Sequence, residues 1–168
     1  MTNTQELLNK LLVQLFNDIL HIEENSLKNI DLIDLSMTEI HTIEAVGIKD
    51  AKTMGEIAHD LRITVGTLSA AITKLIKKGY VERKRTEEDR RVVLVSLTSK
   101  GENVYREHQV FHEEMITSML GNFSEEEEYI LAIALEKLNS FFEEKYEGLN
   151  RLSPYSHPAS KRMGTLVW

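Results

Sequence analysis

Apolar residues recur at helical spacing over residues 7–22, where Leu8, Leu11, Leu12, Leu15, Ile19 and Ile22 form one stripe. Leu7, Phe16 and Leu20 widen it beyond what one side of a small core requires, so a second face is expected to meet another subunit. Two capping boxes follow, Ser36-x-x-Glu39 and Thr53-x-x-Glu56, in which hydroxyl and carboxylate satisfy free backbone N–H groups reciprocally. They predict a helix over 37–46, closed by Gly47, and a short one over 54–61. Thr64 is placed to cap a third helix, "VGTLSAAITKLIKK", which Gly79 stops. A short helix, a tight turn and a longer helix make a helix-turn-helix. The period then drops to two: "YVER" and "VVLVSL" flank the hydrophilic tip "KRTEEDR", predicting a two-stranded hairpin. Thr98 opens a helix with Val104, His108, Phe111, Met115 and Met119 in line. Ser124-x-x-Glu127 opens a last one through Ile130, Ala134, Leu138, Phe141 and Phe142. The fold class is therefore mainly α with a small antiparallel β-wing.

Charge sharpens this picture. The chain carries a formal −7, yet residues 74–91 hold eight cations against four anions, a net of +4 that leaves −11 elsewhere. Such segregation implies a cationic contact face on an acidic body. The 42% apolar content suffices for a core, and the absence of Cys excludes disulfides, thiolate metal sites and Cys nucleophiles. "MTNTQELLNK" lacks a basic signal-peptide start, and no apolar run nears ~18 residues, so a cytoplasmic protein with no membrane partner is expected. No phosphate-binding glycine loop, nucleophile elbow or H-E-x-x-H is present, so neither an enzyme nor a cofactor is expected.

The helix after Thr64 sets Val65, Leu68, Ile72, Leu75 and Ile76 on its apolar face. The other face offers Gly66, Thr67, Ala70, Thr73, Lys74 and Lys77, with Ser69 at the border. Small groups first and cations later suit a recognition helix whose N-terminal half enters the major groove while its later residues flank phosphates. On the hairpin, Lys84 and Arg85 would lie toward phosphates. Arg90 at the tip would enter the minor groove, with Asp89 beside it, next to Arg91.

"ITVGTLSAAITKLIKKGYVERKRTEEDRRVVLVSLTSKG" resembles the recognition helix and wing of the MarR family of winged-helix repressors, including its D-x-R signature at Asp89-Arg90-Arg91. The resemblance covers roughly residues 5–147. It implies a homodimer: residues 1–35 an N-terminal dimerisation helix, 36–98 the DNA-binding lobe, 99–148 C-terminal dimerisation helices and 149–168 a flexible tail. Two recognition helices about one turn of DNA apart imply a pseudo-palindromic double-stranded operator. Within the family, "ILHIEENSL", "MTEIHTIEAVG", "VGTLSAAI" and "FHEEM" are most similar to the repressors of fatty-acid biosynthesis of streptococci and their relatives. That similarity implies long-chain acyl carrier protein as corepressor.

An acyl chain would need an apolar chamber, for which Phe16, Ile19, Ile40, Ile43, Val104, His108, Phe111 and Met115 are the candidates; their alternative is plain core packing. An acidic carrier protein would need a cationic patch, for which Arg62, Arg83 and Arg106 are available. His108-x-x-x-His112 has metal-compatible spacing. Glu24, Glu39 and His41 could add ligands, and zinc-sensing members of the family use comparable positions, so Glu24, His41, His108 and His112 define a zinc-responsive alternative. A helical protein-interaction module with a charged hairpin is the second alternative.

Overall fold

The computed structural model of the protein describes residues 1–28, 34–85 and 92–151. In chain order these form α1 (Asn3–Lys28), α2 (Met37–Val46), β1 (Lys52–Thr53), α3 (Met54–Asp60), α4 (Val65–Lys78), β2 (Val81–Arg85), β3 (Val93–Leu97), α5 (Ser99–Leu120) and α6 (Glu125–Arg151). The chain divides into two compact units, residues 1–111 and 112–168.

The caps act as the sequence predicts. Ser36, Thr53 and Ser124 each close a full capping box with the Glu three residues on. Thr64 Oγ1 accepts the Thr67 N–H at 3.1 Å, and Thr98 Oγ1 accepts that of Gly101 at 3.2 Å. Each such cap contributes about 1 kcal/mol. A further box at the first helix went unread: Thr2 Oγ1 accepts from the Gln5 N–H while Gln5 Oε1 accepts from the Thr2 N–H. It starts α1 at Asn3, ahead of the stripe.

The sheet corrects the two-stranded expectation. It has three strands in the order β1-β3-β2, all antiparallel, with Lys52 opposite Val95 and Thr53 opposite Leu94. The extra strand is two residues long, and Thr53 is at once its end and the cap of α3, so no alternation could announce it.

One core lies in the first unit. Ile40, Ile43 and Val46 of α2, Ile57 of α3, Leu68, Ile72 and Leu75 of α4, Val81, Val95 and Leu97 of the sheet and Val104 of α5 are buried together. Each large aliphatic contributes about 1.5–3 kcal/mol by leaving water. α5 reaches this core through Gly101, where an added Cβ would lie 2.1 Å from the Tyr80 carbonyl oxygen. Residues 1–22, by contrast, are exposed throughout, including Leu8, Leu12, Phe16 and Ile19. In the second unit, α6 likewise presents Ile130, Leu138, Phe141 and Phe142 to solvent. Among the described residues no helix is long and apolar enough to cross a membrane.

Candidate nucleic-acid interface

The α3–α4 turn is built on Arg62. Its N–H bonds His59 O and the Ile63 N–H bonds Ala58 O, both at 3.0 Å, the double closure of a helix end. Arg62 occupies the left-handed position of that closure with φ 54°, which glycine usually fills. The turn delivers Thr64 to its capping position and starts α4.

α4 buries Leu68, Ile72 and Leu75, at intervals of four and three, against the core. Thr64, Gly66, Thr67, Ala70, Thr73, Lys74 and Lys77 are exposed, and Ser69 is half-buried. Val65 and Ile76, expected on the apolar face, are exposed at its edges, 50% and 36%. The C-terminal end is anchored firmly. Gly79 closes it at φ 80°, and Lys78 donates to Glu39 Oε2 at 2.8 Å and to the Asp34 carbonyl. Beside it the Tyr80 hydroxyl donates to Asp34 Oδ1 at 2.6 Å, which holds that carboxyl below its ordinary range. Lys100 sits 3.9 Å from the Tyr80 ring centre and donates to Lys78 O. Lys78, one of the eight cations of residues 74–91, is thus committed to the scaffold.

The wing leans on this helix. Arg83 of β2 donates to Ser69 O of α4 at 3.3 Å. Strand alternation puts Arg85 on the same side of the sheet as Arg83. Lys84 lies on the other side, 3.5 Å from Glu82, which also accepts from Ser96 of β3. Lys84 and Arg85 are exposed. Asp89, Arg90 and Arg91 lie outside the described residues, as does the tail beyond Arg151.

A second constellation lies where α1, α2 and α5 meet. Glu23, 4% exposed, places Oε1 3.0 Å from His41 Nε2 and 3.0 Å from His108 Nε2. Glu44 Oε2 stands 3.6 Å from His108 Nδ1 and Gln109 donates to Glu44. Burial alone would raise Glu23, but hydrogen bonds and charge from His41 and His108 outweigh it and hold the carboxyl below its usual value. Burial alone would lower His108; Glu44 and then Glu23 outweigh it, so the imidazole is held above 6.5. Glu23, His41 and His108 each offer a ligand atom, all within 4.8 Å of one another. Two imidazoles and one carboxylate fit the donor set of a zinc ion with an open position. Glu24, the carboxylate named from sequence, is exposed, and His112 begins the second unit.

The candidate chamber residues are divided. Ile40, Ile43 and Val104 are packed in the core, and His108 is buried with Phe111 stacked 6.3 Å away. Phe16 and Ile19 are exposed on α1. Met115, half-buried, belongs to the second unit. Of the candidate carrier contacts, Arg83 braces α4 and Arg106 lies 3.5 Å from Glu102.

A helix-turn-helix on a packed core, with a sheet wing braced to its second helix, defines a winged-helix DNA-binding regulator. The chain belongs to the SarA/Rot- and MarR-type family of winged-helix transcriptional regulators: residues 26–108 match the family described as transcriptional regulator SarA/Rot. It is 31% identical over 105 residues to the HTH-type transcriptional regulator BilQ of Clostridium symbiosum, covering 62% of this chain and 72% of that one. It is 30% identical over 113 residues to the transcriptional regulator ZitR of Lactococcus lactis, covering 66% and 77%. Among solved structures it is similar to Streptococcus pneumoniae FabT in complex with DNA, at 36% identity and a TM-score of 0.80, over 83% of this chain and 98% of that one.

Proposed function

We propose that this DNA-binding regulator is a homodimeric repressor of fatty-acid biosynthesis genes, with long-chain acyl carrier protein as its corepressor. The observation that carries the DNA-binding mode is the exposed face of α4, small at its N-terminal half and cationic at Lys74 and Lys77, with the wing tied to it through Arg83. Thr64, Gly66, Thr67, Ser69, Ala70 and Thr73 face base edges and the groove wall. Lys74, Lys77, Lys84 and Arg85 meet phosphates, and Arg90, set by Asp89 and flanked by Arg91, enters the minor groove. Similarity to a regulator solved with DNA supports this mode, and family membership favours it over a helical interaction module.

The homodimer is supported by α1, whose exposed Leu8, Leu12, Phe16 and Ile19 form an apolar surface that a second copy would cover. A two-fold axis then sets two recognition helices about 34 Å apart on a pseudo-palindromic operator. The fatty-acid reading is supported by the segment resemblance and by the similarity to FabT. An acyl chain would gain ~0.8 kcal/mol per buried CH2, enough over a long chain to shift the dimer between two wing spacings.

A metal-responsive repressor is the second reading, favoured by the convergence of Glu23, His41 and His108. Operator affinity measured with long-chain acyl carrier protein, with zinc and with a chelator separates the two. The corepressor reading expects at least tenfold tighter binding with the acylated carrier and no change with zinc or chelator. A response to zinc alone would overturn it in favour of the metal.

A further inference from the structure

We propose that α4 identifies its operator chiefly through the C5-methyl groups of thymine, with Thr67, Ala70 and Thr73 as the contacting residues. This rests on the DNA-binding reading of the same helix and states how that helix reads sequence.

From Val65 to Thr73 the helix contains no Arg, Lys, Asn, Gln, Asp or Glu. The bonds that single out guanine come from Arg or Lys on O6 and N7, and those that single out adenine from Asn or Gln on N6 and N7. None of these side chains occurs before Lys74, in the third turn. The groove-entering half therefore exposes Val65 at its edge and Gly66, Thr67, Ala70 and Thr73, with Ser69 and Ala71 half-buried.

The hydroxyls of the two exposed threonines are already engaged. Thr73 Oγ1 donates its proton to Ser69 O at 2.7 Å. Thr67 Oγ1 lies 2.9 Å from Thr64 Oγ1, sharing a proton with the residue that caps the helix. Thr73 can still accept and Thr67 can accept or donate, but adenine N6 and cytosine N4 both donate in the major groove, while thymine O4, guanine O6 and the purine N7 atoms all accept, so a lone hydroxyl names no base. What Thr67, Ala70 and Thr73 have left that discriminates is methyl surface. The apolar group on a base edge in that groove is the thymine C5-methyl.

Spacing agrees with this. Thr67, Ala70 and Thr73 follow one another at three-residue steps along one side of α4, a rise of about 9 Å. That matches two to three base-pair steps of about 3.4 Å. Gly66, with no side chain, lets the helix start approach closely.

The experiment is run on the full chain. A preferred operator is first selected from a library of random duplexes, and each half-site thymine is then replaced singly by deoxyuracil, which removes the methyl and nothing else. Two or three adjacent thymines per half-site are expected to show about a fourfold loss each, the value of one buried methyl group. Thr73→Ser, which removes the methyl, should lose a similar factor and become indifferent to uracil at its own thymine. Thr73→Val, which keeps a methyl and removes the hydroxyl, should retain both affinity and uracil sensitivity. If every uracil substitution leaves affinity unchanged while the operator is still preferred over random DNA, methyl readout is wrong and the DNA-binding reading stands. If no duplex is preferred over random DNA, the reading beneath it fails as well.

Discussion

At the scale of single residues, conformation and contact are decided by neighbours that the sequence does not place. Gly101 reads as an ordinary glycine in the first turn of a helix. In the fold it is the point where α5 passes against the Tyr80 carbonyl, and any side chain there would collide with backbone. Gly101→Ala should therefore cost roughly 2–3 kcal/mol through displaced backbone. Thermal unfolding should show a drop in Tm of roughly 5–10 °C for a chain of this size. An unchanged Tm would mean that the approach is not tight. Arg62 was equally illegible: left-handed positions favour Gly, and nothing in "LRIT" shows that an Arg holds one. Glu23 did leave a trace, since it falls four residues after Ile19, in line with the α1 stripe. Choosing it over Glu24 needed the helix phase, which packing against α2 and α5 sets.

At the scale of elements, capping chemistry was the most legible signal, because a cap is satisfied within a few residues of itself. Ser36, Thr53, Thr64, Thr98 and Ser124 each start a helix where expected. β1 was not legible, because the partners it pairs with lie some forty residues away on β3. The Glu23–His41–His108 cluster, which ties three helices, makes stability depend on pH. Glu23 titrates below its ordinary 4.5 in the fold, so its contribution is full above 4.5 and is lost as pH falls through the folded value. His108 titrates above 6.5, so its contribution is full below 6.5 and is lost as pH rises through the folded value. Both are present together between 4.5 and 6.5. Urea unfolding across pH should show wild type gaining most over Glu23→Gln inside that window and less on either side. A difference that does not vary with pH would show that neither group titrates as the geometry implies.

At the scale of the whole molecule, the separation of a +4 segment from a −11 remainder was visible in the sequence and led to the interface. Its division of labour was not. Lys78 and Arg83 bond to the scaffold, Arg83 while still exposed, whereas Lys74, Lys77 and Arg85 are exposed and Lys84 lies beside Glu82. A count of charges cannot make that distinction, because it depends on Glu39 and Ser69 being brought close by the fold. The chamber residues met the same limit: Ile40 and Phe16 are equally apolar in sequence, yet one is core and the other surface. The central claim is that α4 and the wing form a cationic face that docks on DNA, and salt dependence of operator affinity tests it most directly. With ~6–10 phosphates contacted, affinity should fall ~10³–10⁵-fold between 50 and 200 mM salt. Lys74→Ala and Lys77→Ala should each flatten the log–log slope by about 1. A slope near zero in wild type, or one that both substitutions leave untouched, would contradict the account.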